Sequence, residues 1–437
     1  MRRIDENISV EIKHFPENIE KIIAEAALGT FGKKMSDEEL ENALPHIFNE
    51  SVARGHSSLT TMPKMMVKIS GSRVWDYFFT AVPFTRALMM STRRVGYKEE
   101  DILIPEGIKD ERSIQIYKST AKSQFKVYEE MKGSGVPLDV ARRVLGLEFP
   151  SYGTYELSLD TAVELAHLPE SKYLPREINT IAKKIAEVVA EKAPNMYAAK
   201  VNCIERFSSN LYPFPNIFSN PDLSKIEPSE IKIDIDDNFW KIKEALEKNY
   251  PGDRKYYETL PQETNELINI REPLELSLAA YNELKRHSTL RIQPESIYNS
   301  IDRTKRRNID TCIYKPYELN SYADIYKKSI EDSLESYHRL INQGVEPRDA
   351  VYIVPQAIKT RAIINLDAYN LFHPFGFFGN RLCSKADKEL QQISLNLLKE
   401  IEKEEPRLRD TIGPKCKIGA CSEETSCGWV KQFQLWL

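Results

Sequence analysis

The 437-residue chain carries one spacing of motifs twice, once in each half. Six anchor residues define the two series: Ser72, Ala81 and Ser91 in the first half, and Ser277, Arg286 and Ser296 in the second. In both series the first step is nine residues and the second step is ten. Matched spacing over this length indicates a duplicated supersecondary unit, so the fold is expected to occur twice.

The two halves keep different residues at these anchors. The first half has Ser91-Thr92-Arg93 but no arginine–histidine pair, because Ala81-Val82-Pro83 stands at that place. The second half has Arg286-His287 and Glu295-Ser296, but Tyr298 stands where an arginine would match. One interpretation is that the halves are complementary and together supply one kind of site. The alternative is decay, in which each copy has lost function separately.

Length and composition point to a globular protein of two domains of roughly 200 residues each. Hydrophobic residues make up 41% and charged residues 29%, with a formal net charge of −4. Such a chain lacks the broad basic surface that binds duplex nucleic acid, so we expect no duplex partner. A few local arginines would still suffice to hold a small-molecule nucleotide.

The chain shows no run of about 18 apolar residues, which predicts no membrane span. Its first residues lack the apolar stretch of a secretory signal. Six cysteines are too few for a disulfide scaffold of this length and favour a reducing compartment. We therefore expect a cytoplasmic protein.

The periodicity of apolar residues predicts an α+β fold that is repeated once. Strands are predicted at residues 8–12, 231–235 and 350–355, and helices at 19–28, 36–54, 74–90, 178–193, 275–285, 322–343 and 387–403. A proline-rich stretch indicates a linker. The predicted division is a first domain at 1–209, a linker at 210–229, a second domain at 230–412 and a cysteine-rich tail at 413–437.

A further run of motifs lies late in the second half. It comprises residues 348–355, Thr360, Asn365, residues 370–373 and Arg381. Together with the two split motifs, this run resembles the signature of the flavin-dependent thymidylate synthases. The resemblance implies two tandem copies of that domain, each a sheet flanked by long helices. The first copy is degenerate, and the second matches the family better. It also implies reductive methylation of a uracil nucleotide, dUMP or a related pyrimidine, with FAD as cofactor and NADPH and methylenetetrahydrofolate as cosubstrates.

The resemblance assigns roles to individual residues. Arg381 becomes the catalytic arginine that binds and polarises the uracil, because a fixed guanidinium stabilises charge that develops on a carbonyl oxygen. The residues expected to bind substrate are Ser91, Arg93, Arg142, Glu295 and Ser296. The residues expected to contact the flavin are His56, Ser58, Arg286, His287, Asn365 and His373. Without the resemblance, the arginine clusters could equally be helix ends whose cations complement the helix dipole.

Several positions depart from the family pattern. Thr60 and Thr61 replace a Glu-His pair, Ser288 ends the cationic triplet, Val351 replaces a substrate-binding arginine and Asp367 a flavin-binding one. These departures leave open another pyrimidine nucleotide as the substrate. They also leave open a non-catalytic nucleotide- or flavin-binding paralogue with a regulatory role.

Four cysteines, Cys383, Cys416, Cys421 and Cys427, could close a tetrahedral zinc site. The alternative is free thiols or a redox disulfide. Because the family's sites form between subunits of a tetramer, the resemblance also implies a homodimer that imitates that tetramer.

Overall fold

The computed structural model of the chain describes residues 1–56, 58–83, 85–91, 95–207, 214, 216–287, 289–417, 421, 427–429 and 433. The chain divides into two compact units. The first unit consists of Met1–Phe218 and Tyr317–Gln356, and the second of Ser219–Pro316 and Ala357–Leu437.

The described part of the first 218 residues contains both strands and helices, with runs of two or more helices between some of the strands. The strands are β1 (Arg2–Arg3), β2 (Ser9–His14), β3 (Lys64–Ser72), β4 (Arg86–Met89), β5 (Leu103–Ile104) and β6 (Pro150–Ser158). The α-helices are α1 (Ile19–Gly29), α2 (Asp37–Glu50), α3 (Ser58–Thr61), α4 (Arg73–Phe79), α5 (Glu111–Gly133), α6 (Leu138–Ala141), α7 (Leu159–Ala166), α8 (Arg176–Lys192) and α9 (Pro194–Phe207).

The rest of the described chain follows a similar order. Its strands are β7 (Lys232–Ile235), β8 (Ile268–Ser277), β9 (Arg291–Pro294) and β10 (Lys359–Asp367). Its helices are α10 (Asp237–Asn249), α11 (Arg254–Thr264), α12 (Leu278–Leu284), α13 (Ile297–Arg306), α14 (Ile309–Cys312), α15 (Ala323–Asn342), α16 (Pro347–Ala350), α17 (Ala368–Phe372), α18 (Phe377–Arg381) and α19 (Lys388–Glu404).

Each unit is built on a four-stranded antiparallel sheet, and the two sheets have the same topology. The order is β2-β3-β6-β4 in the first unit and β7-β8-β10-β9 in the second. In chain order both sheets therefore read first, second, fourth, third. The predicted α+β fold and its duplication are confirmed.

The central strands form because their apolar residues alternate, as one buried face of a sheet requires. In β3, Met65, Val67 and Ile69 are fully buried, and the residues between them are more exposed. The strand ends at Ser72, whose hydroxyl accepts from the backbone N–H of Val74 at 3.1 Å and so caps α4. This is the preferred geometry for the start of a helix.

The anchor serines of the two series make the same contact in their own units. The backbone N–H of Ser72 donates to Glu177 Oε1 at 2.6 Å, and that of Ser277 donates to Glu389 Oε1 at 2.6 Å. Each serine hydroxyl donates to the second oxygen of the same carboxylate. Glu177 and Glu389 are each the second residue of a helix, α8 and α19. The sequence repeat at Ser72 and Ser277 therefore reflects a repeated structural contact.

Three sequence-based elements differ from the structure. The helix predicted at 74–90 ends at Phe79, and Arg86–Met89 instead pairs with β6 as a strand. The helix predicted at 275–285 begins only at Leu278, because residues 275–277 complete β8 and Ser277 caps the helix. The strand predicted at 350–355 is a 3-10 helix at Val351–Ile353. A short, fully apolar run does not distinguish these states by periodicity.

The segment Tyr317–Gln356 clusters with the first unit, whereas the sequence-based boundaries placed it in the second domain. The reason is long-range packing of α15 along α5. Gln124 Nε2 donates to Ser333 Oγ at 2.8 Å and to the Ile353 carbonyl oxygen at 2.9 Å. Such a pairing across more than 200 residues has no signature in the local sequence.

Candidate functional site

In the second unit, two residues predicted from separate motifs lie in direct contact. Arg381 is the last residue of α18, and His287 follows the end of α12. The guanidinium Nη2 of Arg381 is within hydrogen-bonding distance of His287 Nε2. Because a guanidinium can only donate, Nε2 is the acceptor and the ring proton resides on Nδ1.

Glu283, on α12, holds the same guanidinium. Arg381 Nη1 donates to Glu283 Oε1 at 2.9 Å, and Nη2 donates to the backbone carbonyl oxygen of Glu283 at 3.3 Å. The two side chains are only 10% and 12% exposed. Glu283 lies four residues before His287, so a single turn of chain presents both groups to Arg381. The sequence analysis did not identify Glu283.

Burial and the neighbouring cations keep the His287 imidazole neutral at physiological pH. Burial, followed by the charges of Arg381, Arg286 and Lys415, lowers the pKa of His287 to about 3. Burial also lowers the pKa of Arg381, and the Glu283 carboxylate opposes this effect. The site therefore combines a charged donor with a neutral acceptor.

These residues line a cavity of about 340 Å³, here called the arginine cavity. Its lining consists of Glu283, His287, Asn380, Arg381, Cys383, Lys385, Ala386 and Lys415. Three cations face one carboxylate among these described residues, so the cavity favours a ligand with negative or partially negative oxygens. Arg286 is exposed beside it.

A second cavity of the same unit, about 530 Å³ in volume, contains the predicted flavin residue His373. We call it the His373 cavity; it is lined by Pro261, Gln262, Asn265, Thr289, Arg291, Asp367, Tyr369 and His373. The rings of Tyr369 and His373 stack with centroids 4.6 Å apart and planes inclined by 17°. Burial lowers the pKa of His373. An aromatic wall suits a flat ligand, and Arg291 and Asp367 place one charge of each sign in the same lining.

The predicted flavin contacts are thus distributed between the two cavities. His287 lines the arginine cavity and His373 lines the other. Asn365 lies on β10, paired in register with Arg291 of β9, and is partly buried. Asn365 is not among the residues that line either of the two cavities.

Glu295 and Ser296 make internal contacts instead of facing either cavity. Glu295 is 1% exposed, forms an ion pair with Arg303 at 2.5 Å and accepts from the Arg361 backbone N–H at 2.9 Å. The Ser296 hydroxyl donates to the Ser219 carbonyl oxygen at 2.6 Å. These contacts connect the residues before α13 to Ser219, Arg303 and Arg361, and the predicted substrate contacts of Glu295 and Ser296 stay a prediction.

In the first unit, Arg142 belongs to a buried cationic group. Arg73, Arg142 and Arg143 are 2%, 6% and 2% exposed. Arg73 pairs with Asp76 at 3.1 Å, and its Nε and Nη1 find no hydrogen-bond partner in the described part of the chain. Burial raises the pKa of the nearby Tyr97, and Arg73 and Arg142 act against that rise. A group of three arginines is suited to binding an anion. The sequence analysis did not identify Arg73 as a candidate site residue, although it directly follows Ser72.

The remaining first-unit predictions fall on or beside the surface. Ser91 is exposed, and Arg93 lies outside the described residues. His56 is exposed and follows a 3-10 helix, and Ser58 begins the short helix α3. Thr60, where the family has an acidic residue, is buried and donates to Asp160 Oδ1 at 2.5 Å. No ligand role of His56 or Ser58 follows from these contacts alone.

Two segments of the chain match the sequence profile of one known protein family. The profile described as thymidylate synthase complementing protein matches residues 12–195 and 261–407. The chain belongs to this family. The two matched segments also agree with the duplicated sheet, one segment for each copy. The predicted relationship to the flavin-dependent thymidylate synthases is confirmed.

Curated relatives of the family cover only part of the chain. A flavin-dependent thymidylate synthase of Sulfurisphaera tokodaii is 31% identical over 147 residues, which is 33% of this chain and 53% of the relative. That of Saccharolobus solfataricus is 30% identical over 147 residues, again 33% and 53%. That of Pyrococcus furiosus is 32% identical over 124 residues, 26% and 50%. The chain therefore spans about half the length of these relatives.

Among solved structures, the chain is similar to a UMP/dUMP methylase, PolB, from Streptomyces cacaoi bound with 5-Br dUMP. The TM-score is 0.40 and the identity 15%, over 46% of this chain and 96% of that one.

Within the described residues, no helix has both the length and the apolar character needed to cross a membrane.

The four cysteines of the predicted zinc site act electrostatically on one another. Burial raises the pKa of Cys416, and the charges of Cys421, Cys427 and Cys383 raise it further. Ser384 Oγ donates to Cys427 Sγ at 3.2 Å. In the part of the chain that the structure describes, no group of three or more His, Cys, Asp or Glu side chains is placed to hold a metal. The zinc site stays a prediction.

Proposed function

We propose that the protein catalyses flavin-dependent reductive methylation of a uracil nucleotide at carbon 5, with dUMP as the first substrate to test. One observation carries the proposal: Arg381 and His287, predicted from motifs 94 residues apart in sequence, are hydrogen-bonded in one cavity. Family membership and relatives named flavin-dependent thymidylate synthase support the same reaction class.

The proposed role of Arg381 follows from its charge and burial. Methylation at carbon 5 requires electron density to move onto that carbon, and negative charge develops on the carbonyl oxygen of the ring as it does so. A buried guanidinium held by fixed contacts stabilises that charge without reorganising. His287 is neutral; its Nε2 accepts from Arg381, and its remaining ring nitrogen, Nδ1–H, is a donor.

The residues present also suit a flavin. The stacked Tyr369 and His373 rings offer an aromatic wall, and Arg291 in the same cavity and Arg286 beside His287 offer cations for a pyrophosphate or a reduced ring. When bound, FAD would supply the hydride, with NADPH as reductant and methylenetetrahydrofolate as the one-carbon donor. In the first unit, the arginine group around Arg142 would bind a nucleotide phosphate.

The first test is the visible absorption spectrum of the purified protein before and after FAD is added and the excess removed. A perturbed flavin band is expected, and a protein that stays colourless at saturating FAD would refute the flavoenzyme. Release of tritium from 5-tritiated dUMP, with tritiated UMP in parallel, then measures methylation. Arg381→Ala should lose this turnover while keeping its fold, judged by circular dichroism.

A second function, a non-catalytic nucleotide- or flavin-binding paralogue, is favoured by one specific observation. Glu295 and Ser296 are enclosed in internal contacts, and Val351, at the place of a substrate-binding arginine, is fully buried. A regulator of this kind would bind FAD or nucleotide without turnover. Arg286→Ala and Arg381→Ala would then weaken binding and change no rate.

A further inference from the structure

The contact between Glu283 and Arg381 is present in one copy of the duplicated scaffold and replaced in the other. Glu283 and His287 lie six and ten residues after Ser277, and the matching positions after Ser72 are Phe78 and Val82. Phe78 and Val82 are 1% and 3% exposed and pack in the core of their own unit. The scaffold therefore folds with apolar residues at both positions, and the polar group of the second unit is not a requirement of the fold.

Burying such a group carries a penalty that an apolar core avoids. A buried carboxylate and guanidinium must replace their lost hydration with mutual hydrogen bonds, and the balance is often close to neutral or unfavourable. Arg381 makes its three contacts to Glu283 and His287, and its Nε finds no partner among the residues described here. The guanidinium is therefore buried with one donor unsatisfied, a cost that an apolar side chain at this place would avoid.

Glu283 is also the only negative charge near this guanidinium in the described lining of the arginine cavity. Without it, the guanidinium would lose its leading electrostatic attraction and would face Lys385 and Lys415 in the cavity and Arg286 beside it, with the charge of Asp387 acting in the opposite sense. The carboxylate and the backbone carbonyl of one residue hold both terminal nitrogens, which fixes the plane of the guanidinium. A planar fork that is fixed in this way loses little entropy on binding.

We propose that Glu283 is a positioning residue: it holds the Arg381 guanidinium against His287 in the arginine cavity, so that the arginine presents a fixed donor to a carbonyl oxygen of the substrate pyrimidine. This inference rests on the proposed function for the identity of the substrate. The placement of Arg381 by Glu283 does not depend on it and can be tested separately.

The experiment compares Glu283→Ala and Glu283→Gln with the unaltered protein. Glutamine keeps an acceptor oxygen at the same place but removes the charge, so it should restore part of what alanine loses. The matched control is Glu275→Gln, because Glu275 also pairs with a buried arginine of the second unit, Arg361 Nε at 2.8 Å, and does not line the arginine cavity. Thermal unfolding of all four proteins reports any loss of fold.

The first measurement is independent of catalysis. In protein labelled with ¹⁵N-histidine, the His287 resonances are assigned with His287→Gln and followed from pH 4 to pH 8 by NMR. The native ring should stay in the Nδ1–H form over this range. In Glu283→Ala the released guanidinium should leave His287, and the Nε2 resonance should shift because that nitrogen loses its donor; Glu283→Gln should shift it less, and Glu275→Gln should match the native protein.

The second measurement is turnover of the FAD-loaded protein with dUMP and with UMP. Glu283→Ala should lower kcat about 100-fold, the effect expected when a charge-stabilising group is misplaced by about 1 Å, with a smaller change in KM. Glu283→Gln should recover part of kcat.

The outcomes separate the two proposals. If the His287 signals respond to Glu283→Ala but the native protein methylates neither nucleotide, Glu283 places Arg381 and the proposed function is wrong. If a folded Glu283→Ala protein keeps the native His287 signals, or if it keeps native kcat in an active enzyme, the positioning role is wrong. Should the alanine variant fail to fold, the glutamine variant decides by the same two readouts.

Discussion

Replacing Glu148 with glutamine should stabilise the first unit, and the gain should grow as the pH rises. Glu148 lies between the 3-10 helix Arg142–Val144 and β6, and its side chain is fully buried. By distance and angle neither carboxyl oxygen has a hydrogen-bond partner in the described structure, although the backbone N–H groups of Gly146 and Glu148 lie close enough to oppose the effect of burial on its pKa. Burial raises the pKa of Glu148 from 4.5 to about 8, so the native protein holds this group protonated at neutral pH. Glutamine has nearly the same shape and does not titrate.

The magnitude follows from linkage between protonation and folding. Because the native pKa is raised, the contribution of Glu148 to stability is complete below its unfolded pKa and is lost as the pH rises toward the native value. At about 1.4 kcal/mol per pKa unit, the loss is about 1 kcal/mol at pH 5, about 3 kcal/mol at pH 7 and about 5 kcal/mol at pH 9. The stability difference between Glu148→Gln and the native protein should therefore widen by about 4 kcal/mol from pH 5 to pH 9.

Amide hydrogen exchange read by mass spectrometry on peptides of β6 measures the free energy of opening of the first unit. Comparison of the two proteins at each pH cancels the intrinsic exchange rates, and peptides of β10 report the second unit in the same sample. Any constant effect of the amide on packing also cancels, because only the change with pH is used. If the difference in opening free energy between Glu148→Gln and the native protein stays the same from pH 5 to pH 9, Glu148 is not buried as the neutral acid.

Three further predictions concern single contacts. Lys200→Met should destabilise the first unit by about 3 to 5 kcal/mol in urea unfolding, because it leaves Asp160 and Glu164 buried without their cation; a loss under about 1 kcal/mol would contradict this. Ser72→Ala and Ser277→Ala should each cost about 1 to 3 kcal/mol, since each removes a hydroxyl donor to a buried carboxylate, and a loss in only one of them would show that the two contacts are not equivalent. Protein grown with zinc should contain one zinc per chain by plasma mass spectrometry if the cysteines form the predicted site, and Cys416→Ser should lose it; native protein with no zinc above the buffer level would remove the prediction.

The sequence was informative where the chemistry is local. The step from Ser72 to Ala81 matched the step from Ser277 to Arg286, and the structure shows why: both serines end a strand, cap the next helix and bind a glutamate. A capping serine is recognisable because its side chain bonds to the backbone two or three residues ahead. The repeat could therefore be found before any fold was known.

The sequence was misleading where tertiary contacts decide. Residues 86–89 read as the end of an apolar helix but form β4, because β6 offers them a pairing edge. The strand β10 was missed, although its residues Ala362, Ile364 and Leu366 alternate with more exposed ones, because the preceding apolar run attracted the strand assignment. Propensity is a weak guide when pairing partners lie far away in the chain.

The candidate site shows the same division. Arg381 and His287 could be predicted because motif positions identify them, but Glu283 was not, since its role depends on which side chain faces it across the unit. Arg73 was overlooked because its burial beside Tyr97 and Arg142 is known only from the fold, although its partner Asp76 lies three residues ahead on the same helix. The partner of a buried charged residue can generally be recognised only when the positions of both secondary-structure elements are known.

The two copies share the contacts that build the scaffold and differ in the residues that carry chemistry. The buried serine–glutamate contact is kept in both, since losing either partner would leave a buried polar group unsatisfied. The cavity positions are under no such constraint: Phe78 and Val82 fill them in one unit, and Glu283 and His287 line a cavity in the other. Duplication thus allows one copy to replace polar groups with apolar ones while the other retains them. A polar group that survives at a position where the same scaffold accepts phenylalanine is best explained by a ligand that needs it.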